Sequence, residues 1–516
     1  MSFVSSLDKD RLFLQSGNVR YILSLDQGTT SSRAILYDHD ANVVAVGQRE
    51  FQQIFPRSGW VEHDADEIWA SQWNSIEQAF KAADCAWEDV STIGITNQRE
   101  TVVFWDKETS KPLANAIVWQ DRRGAEICGK LKKEGREAFV RERTGLLLDP
   151  YFSGSKIKWL MSQNDEARKL ADAGRLAIGT IDAWLVWKLS GGNAFVTDVS
   201  NASRTLLLDI HSVAWDDDLL ALFDAPRSAL PEVVDSSGNL AMTDMSITEK
   251  PIPICGIAGD QQAALFGQQC FSKGDVKSTY GTGCFILMNQ GSEVILSSNR
   301  LLTTIAWRMN GEIAYALEGS VFIGGAVTQW LRDQLEFFAE SEEIEALAKE
   351  VEDSGDVVLV PAFAGLGAPH WDPYARGALF GLTRGSSKAH IARAALDAVA
   401  FQVVEVVEAM ENDSGHKLES LNVDGGACAN GLLMQRQADL LNCEVRRPKN
   451  RETTALGAAL LAGLGIGIWK EMSDLNELFE LDAAFQPKAR EEEVHKARKR
   501  WDKAVDRCRN WIEDEE

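Results

Sequence analysis

Two short stretches, roughly half a chain apart, follow one plan. Tyr21-Ile-Leu-Ser-Leu-Asp-Gln-Gly-Thr-Thr-Ser-Ser-Arg-Ala-Ile-Leu-Tyr37 runs from an apolar strand through an acid, a Gly turn and a cluster of hydroxyls into a second apolar strand. Ser278-Thr-Tyr-Gly-Thr-Gly-Cys-Phe-Ile-Leu-Met288 repeats the strand, a Gly-Thr turn and the returning strand. A Gly turn flanked by hydroxyls exposes backbone N–H groups that converge on an anion. The pair therefore points to two related halves that each present a phosphate-shaped turn.

The rest of the chain falls into the same two groups. Residues 21–25, 33–38 and 42–47 read as an antiparallel meander. Helices are expected near 64–83, 121–134, 156–173 and 180–189, with short strands at 92–96 and 116–118 between them. A second meander covers 275–289, 302–308 and 313–318, followed by helices near 321–336 and 388–413. Ile391, Ala395, Val399 and Val403 recur every four residues and give the last of these its stripe. Meander first and helices after, twice over, predicts two copies of one α/β plan. At 516 residues the chain exceeds what one core usually supports. The break is expected near 265–275, giving domains at 20–270 and 271–516, with residues 1–19 set apart as an N-terminal extension. The stretch 488–512 predicts a docked terminal helix, with Trp501, Val505, Cys508 and Ile512 on one face.

Composition removes several classes of function. With 53 basic and 77 acidic residues the formal net charge is -24, which repels polyphosphate backbones and argues against nucleic-acid binding. Eight cysteines without a Cys-x-x-Cys pair read as reduced thiols, not a disulfide frame or zinc site. No apolar run long enough for a membrane span or secretory signal occurs, so a cytoplasmic protein is expected.

Five segments carry chemistry. In the first turn, Gly28 permits the bend, Thr29, Thr30 and Ser31 add hydroxyl donors, and Arg33 can add charge. Asp26, at a strand end, suits Mg²⁺, which prefers one or two carboxylates plus phosphates. The bland alternative is a hairpin turn with solvated hydroxyls. Gly124-Ala-Glu-Ile-Cys-Gly-Lys-Leu131 nearly fits a phosphate-loop string, but Leu131 offers no hydroxyl and the segment reads as helix interior. Leu421-Asn-Val-Asp-Gly-Gly-Ala-Cys-Ala-Asn430 is a strand, a double Gly and a helix start near Gly431, either an anion site or a tight turn. Asp260 and Gln261 follow Gly259 at the end of an apolar strand, where a carboxylate serves as general base or merely as a helix N-cap. Arg99 and Glu100, also at a strand end, offer donors and acceptors side by side, as a polyol requires or as an exposed ion pair would. Trp119 is an aromatic wall or an ordinary core Trp among 16.

Together these segments closely resemble the FGGY carbohydrate kinases, specifically those that act on glycerol, over about residues 20–510. The resemblance rests on Ser24–Arg33, Pro56–Asp64, Gly94–Glu100, Asp149–Gly154, Gly256–Gly267, Thr279–Phe285, Pro361–Pro369 and Trp371–Gly377, in that order. It implies two ribonuclease H-like domains of the actin-like ATPase superfamily, α/β in class, around a central cleft. It also implies transfer of a phosphoryl group from MgATP to glycerol, giving sn-glycerol 3-phosphate and ADP. Asp260 would be the base. Arg99, Glu100, Tyr151 and Gln261 would hold the hydroxyls, with Trp119 and Phe285 along the carbon edge. Asp26 would sit near Mg²⁺, and Thr29, Thr30, Ser31, Arg33 and Thr282 around the phosphates. Gly325, Gln329, Gly426 and Asn430 would lie along the nucleotide. A homo-oligomer, dimer or tetramer, is expected. Residues 238–250 lack the Gly-rich loop ending in Arg that binds fructose 1,6-bisphosphate in such proteins, so that control is not expected. Two other readings stay open here: a kinase for another polyol or sugar, and a non-catalytic ATP switch.

Overall fold

The computed structural model describes residues 20–512, which gather into two compact units. The first runs through Gln269 and adds Thr304–Tyr315 and Thr453–Leu478; the second comprises Cys270–Thr303, Ala316–Glu452 and the chain from Phe479. The two returning segments of the first unit have no counterpart in a single break near 265–275. The extension assigned to residues 1–19 lies outside the described residues.

The first unit is built on a sheet whose strands include β1 (Tyr21–Gln27), β2 (Ser31–Tyr37), β3 (Val43–Glu50), β4 (Val90–Asn97) and β5 (Pro253–Gly259), in the order β5-β4-β1-β2-β3. The meander is antiparallel, with Asp26 opposite Arg33. β1, β4 and β5 are parallel, and Thr96 of β4 faces both Asp26 and Ala258. Every residue of β4 is buried, as expected of a strand covered on both faces. Leu23, Leu25, Ile93, Ile95, Ile254 and Ile257 form the sheet's share of the core, packed with Ile68, Ile76 and Trp184. Asp64 starts the helix Ala65–Ala83 by accepting from the N–H groups of Asp66 and Glu67.

A second helix, Thr453–Ile466, lies against β1, β4 and β5 at backbone distance. Ser24 Oγ donates to its Ala455 carbonyl at 2.7 Å. Gly94 and Gly256 make this approach possible: a Cβ on either would stand 2.2 or 2.7 Å from the Ala458 carbonyl oxygen.

The second unit repeats the arrangement. β6 (Val276–Tyr280) and β7 (Cys284–Gly291) form a hairpin with Tyr280 opposite Cys284. β8 (Ser420–Asp424) runs parallel to β6, and β9 (Glu444–Pro448) parallel to β8, in the order β9-β8-β6-β7. The hairpin followed by parallel strands is the plan of β5-β4-β1-β2. The helix Lys388–Ser414 fills this unit's core with Ala395, Val399 and Val403 and ends at Gly415, φ 71°. The terminal helix Glu491–Cys508 docks through Trp501, whose ring stacks on Phe401 at 5.2 Å and whose Nε1 donates to Glu405 at 3.0 Å.

Three expectations shift. The helix expected over 156–173 is two, Ser153–Gln163 and Asp165–Asp172, because Asn164 takes extended backbone and caps the second through the Ala167 N–H at 3.0 Å. The helix expected from 321 starts at Ala326, since Val321 still belongs to a strand and Gly324 and Gly325 turn back to bond elsewhere. Ile512 lies past the terminal helix and is exposed. Among the described residues no helix is long and apolar enough to cross a membrane, and all eight cysteines are free.

Candidate active site

The parallel register brings the carboxyl ends of β1, β4 and β5 together. Asp26 and the turn at 28–30 sit at the first end, Arg99 and Glu100 just past the second, and Asp260 and Gln261 just past the third. In open α/β sheets the carboxyl ends of parallel strands are where ligands are held.

The turn after β1 is closed by the Gly28 N–H donating to the Ser31 carbonyl at 3.0 Å. Side chains brace it from behind. Gln98 Nε2 donates to the Gly28 carbonyl at 3.0 Å, and Gln53 Nε2 to the Thr29 carbonyl at 3.0 Å. Gln53 is fixed by His63, whose Nε2–H donates to Oε1 at 2.7 Å. Burial pushes the His63 imidazole down to about 4, so the ring is neutral in ordinary buffers. With its carbonyls bonded inward, the turn leaves Thr29 half-buried and Thr30 exposed. Asp26 is 8% exposed, with Arg33 Nη1 3.9 Å from its carboxylate. Trp119 is half-buried, and its Nε1 donates to Thr29 Oγ1 at 2.9 Å, so the aromatic wall and the turn are tied directly.

The turn after β4 buries its charges. Arg99 is 2% and Glu100 1% exposed, so the exposed ion pair is excluded. Arg99 Nε lies 3.0 Å from Asp260 Oδ1, and its Nη1 donates to Gln262 Oε1 at 3.2 Å. Gly259 leaves room for this: a Cβ there would fall 2.7 Å from Arg99 Cγ and Cδ. Asp260 is the first residue of its helix, whose N-cap is Gly259, and its carboxylate meets only the neighbouring Gln261 N–H and Arg99 among these contacts. It therefore does not serve as the helix cap. The Asp260 side chain is 32% exposed, and Gln261 is nearly buried beside it.

Glu100 accepts from Arg204 Nε at 2.7 Å, and Arg204 is wholly buried. The same guanidinium lies over the rings of Tyr151, at 5.9 Å, and Phe152, at 5.3 Å. Tyr151 stands edge-on to Trp119 with ring centroids 5.6 Å apart. Arg99, Glu100, Trp119, Tyr151, Asp260 and Gln261 thus belong to one constellation of the first unit, rich in donors and acceptors with an aromatic side. Such a set fits a small polyhydroxylated acceptor.

Phe285, Thr282, Gly325, Gln329, Gly426 and Asn430 lie in the second unit. The turn Gly281–Gly283 is interlocked with the start of the helix Ala326–Asp333. Gly324 N–H donates to the Thr282 carbonyl at 2.8 Å, Gly325 N–H to Gly281 at 2.8 Å and Ala326 N–H to Thr282 at 3.1 Å. Gln329 on that helix and Thr282 itself are exposed, while Phe285 on β7 is half-buried. Gly425, φ 82°, passes against Tyr280, where a Cβ would fall 2.6 Å from the carbonyl oxygen, so the turn after β8 sits beside the turn after β6. Asn430 Oδ1 caps the helix Gly431–Leu441 through the Leu433 N–H at 3.0 Å, which leaves the amide nitrogen as its donor.

The segment 124–131 is the start of the helix Ala125–Lys133, with Leu131 buried, and forms no phosphate loop. Arg204, Gln53, Gln98 and His63 were not anticipated as site residues. Only Gln98, adjacent to Arg99, gives any local hint. The rest are placed by contacts across tens of residues.

Residues 21–267 match the N-terminal domain, and 276–466 the C-terminal domain, of the FGGY family of carbohydrate kinases. The chain is similar to the glycerol kinase of Deinococcus radiodurans, 56% identical over 497 residues that cover 96% of this chain and 99% of the relative. Glycerol kinase 2 of Thermotoga maritima is 54% identical over 493 residues, with 96% and 99% coverage. The structure superposes on Plasmodium falciparum glycerol kinase with ADP at a TM-score of 0.90, 37% identity, covering 95% of this chain and 98% of that one. A xylulose kinase from Lactobacillus acidophilus shares the fold at a TM-score of 0.83 and 22% identity.

Proposed function

The chain belongs to the FGGY family of carbohydrate kinases, and we propose that it transfers the γ-phosphoryl group of ATP to a terminal hydroxyl of glycerol, with Asp260 as the base. The products are sn-glycerol 3-phosphate and ADP. The observation that carries the reading is the convergence at three adjacent strand ends of a hydroxyl-bearing anion turn, a buried Arg99–Glu100 pair and a partly exposed carboxylate at Asp260.

Arg99 and Glu100 donate to and accept from glycerol's hydroxyls, joined by Tyr151 and Gln261, while Trp119 covers carbon; Phe285 is assigned to the same carbon edge. Asp260, held in place by Arg99, takes the proton of the attacking hydroxyl. Phosphoryl transfer needs little covalent help from the protein, so alignment and charge stabilisation supply most of the effect. Thr29, Thr30, Ser31 and Arg33 receive the transferring phosphate, and Thr282 the nucleotide phosphates. Gly325, Gln329, Gly426 and Asn430 line the nucleotide.

Among the described residues no three His, Cys, Asp or Glu side chains converge into a protein-built metal cage. The donor set fits Mg²⁺ held mostly by phosphate oxygens, with the largely buried Asp26 as a carboxylate that would sit near it. When bound, Mg²⁺ supplies charge neutralisation of the phosphates. The chain is assigned to the cytoplasm, where ATP is made and its free thiols stay reduced.

Asp260→Asn tests the base directly. It is expected to lower kcat by roughly 10³-fold while nucleotide affinity, measured by calorimetry, stays near that of the unaltered protein. Near-normal turnover in that variant removes Asp260 from the role.

A further inference from the structure

The loop that carries Tyr151 is held by a lysine that makes no salt bridge among the described residues. Lys156 lies in the first turn of the helix Ser153–Gln163 and is completely buried. Its Nζ donates to three successive carbonyls: Pro150 at 3.0 Å, Tyr151 in the shortest of the three bonds, and Phe152 at 3.1 Å. A buried ammonium that meets dipoles and no partner carboxylate is costly.

We infer that Lys156 is a positioning residue that fixes the Tyr151 loop for the acceptor, and that loss of its proton weakens acceptor binding. The inference rests on the reading of the site as a glycerol site. Three carbonyls converging on one point repel one another, and three N–H donors are what hold them there. The consequence is local. Asp149 Oδ1 accepts the Tyr151 N–H at 2.9 Å on one side of the loop, and Ser153 Oγ donates to the Glu100 carbonyl at 3.1 Å on the other. The clamp therefore spans the stretch that aims Tyr151 at Trp119 and supports Glu100 from beneath.

A neutral amine carries two N–H donors, one too few for the three carbonyls. Burial pulls the Lys156 ammonium down to about 8, against the fields of Glu100 from the turn after β4, Asp121 and Asp149 from loops, and Cys128 from the helix Ala125–Lys133, which all favour the charged form. The sign follows. Below that value the clamp is complete; above it one carbonyl loses its donor and the loop relaxes. A role confined to stability would lower the melting temperature and leave the pH profile of acceptor affinity unmoved.

The experiment measures steady-state kinetics of the full chain and of Lys156→Met, from about pH 7 to about pH 9, varying glycerol and ATP separately. In the unaltered protein KM for glycerol is expected to rise severalfold across this range while KM for ATP holds. At the lower pH, Lys156→Met is expected to raise KM for glycerol roughly tenfold, with a smaller change in kcat, and to abolish the pH-dependent rise. An unchanged KM for glycerol in the variant, or a flat glycerol profile in the unaltered protein, overturns the inference. If the variant fails to fold, the profile of the unaltered protein decides alone. Failure of the unaltered protein to phosphorylate glycerol at any pH overturns the functional reading instead.

Discussion

Glu100 holds a left-handed backbone, φ 61°, uncommon for a residue with a side chain and sustained only when its surroundings fix it. Those surroundings are polar and buried: Arg204 against its carboxylate, Arg99 at its side, Ser153 on its carbonyl. Removing one member leaves a buried charge exposed to a low-dielectric interior. Arg204→Met is therefore expected to cost about 3 kcal/mol in urea unfolding, and the double change Glu100→Gln/Arg204→Met to cost less than the sum of the two single changes. Strict additivity would show that the pair is not coupled. In the sequence, Arg99–Glu100 looks like a surface ion pair and Asp260 like a helix cap, because neighbouring residues alone do not reveal burial. The resemblance in the flanking strings singled them out. Arg204 carries no such signal, since it is defined by where another segment of the chain ends up; Lys156 has its partners close by in sequence, and what its neighbours do not reveal is its burial.

At the level of elements, the hairpins and the helix Lys388–Ser414 are legible because their periodicity is regular and their turns are marked by Gly, Asp and Asn. The helix Ala326–Asp333 begins late because Gly324 and Gly325 are taken up by the Gly281–Gly283 turn, a contact across some forty residues that no local pattern encodes. The close seat of the helix Thr453–Ile466 is another such feature. Gly94 reads as a weak spot in a strand, yet it is the point where that helix comes nearest. Gly94→Ala must push the helix off β4, and a loss of roughly 1–3 kcal/mol is expected, the range for overpacked cores. Chemical denaturation measures it, and an unchanged midpoint would mean the helix moves at no cost. β4 ends at the Arg99–Glu100 turn, so the same variant is expected to raise KM for glycerol.

Over the whole molecule, each unit carries a hairpin with parallel strands beside it, and in the first unit Arg99, Glu100, Asp260 and Gln261 follow the carboxyl ends of those strands. A net charge of -24 repels polyanions, which agrees with the proposal that anion binding belongs to the two turns. The duplication was visible in the sequence as two meanders. The assignment of 304–315 and 453–478 to the first unit was not, because which sheet a strand or helix joins is set by packing. This assembly of parts is proposed to serve a small acceptor with three hydroxyls and not bulk water. Release of ADP from MgATP, followed in a coupled assay with glycerol, dihydroxyacetone, xylulose, gluconate and no acceptor, tests it most directly. Glycerol is expected to give the highest kcat/KM and to raise ADP release by roughly 10³-fold or more over the acceptor-free rate. Equal release with and without glycerol, or a higher kcat/KM for xylulose or gluconate, would contradict it.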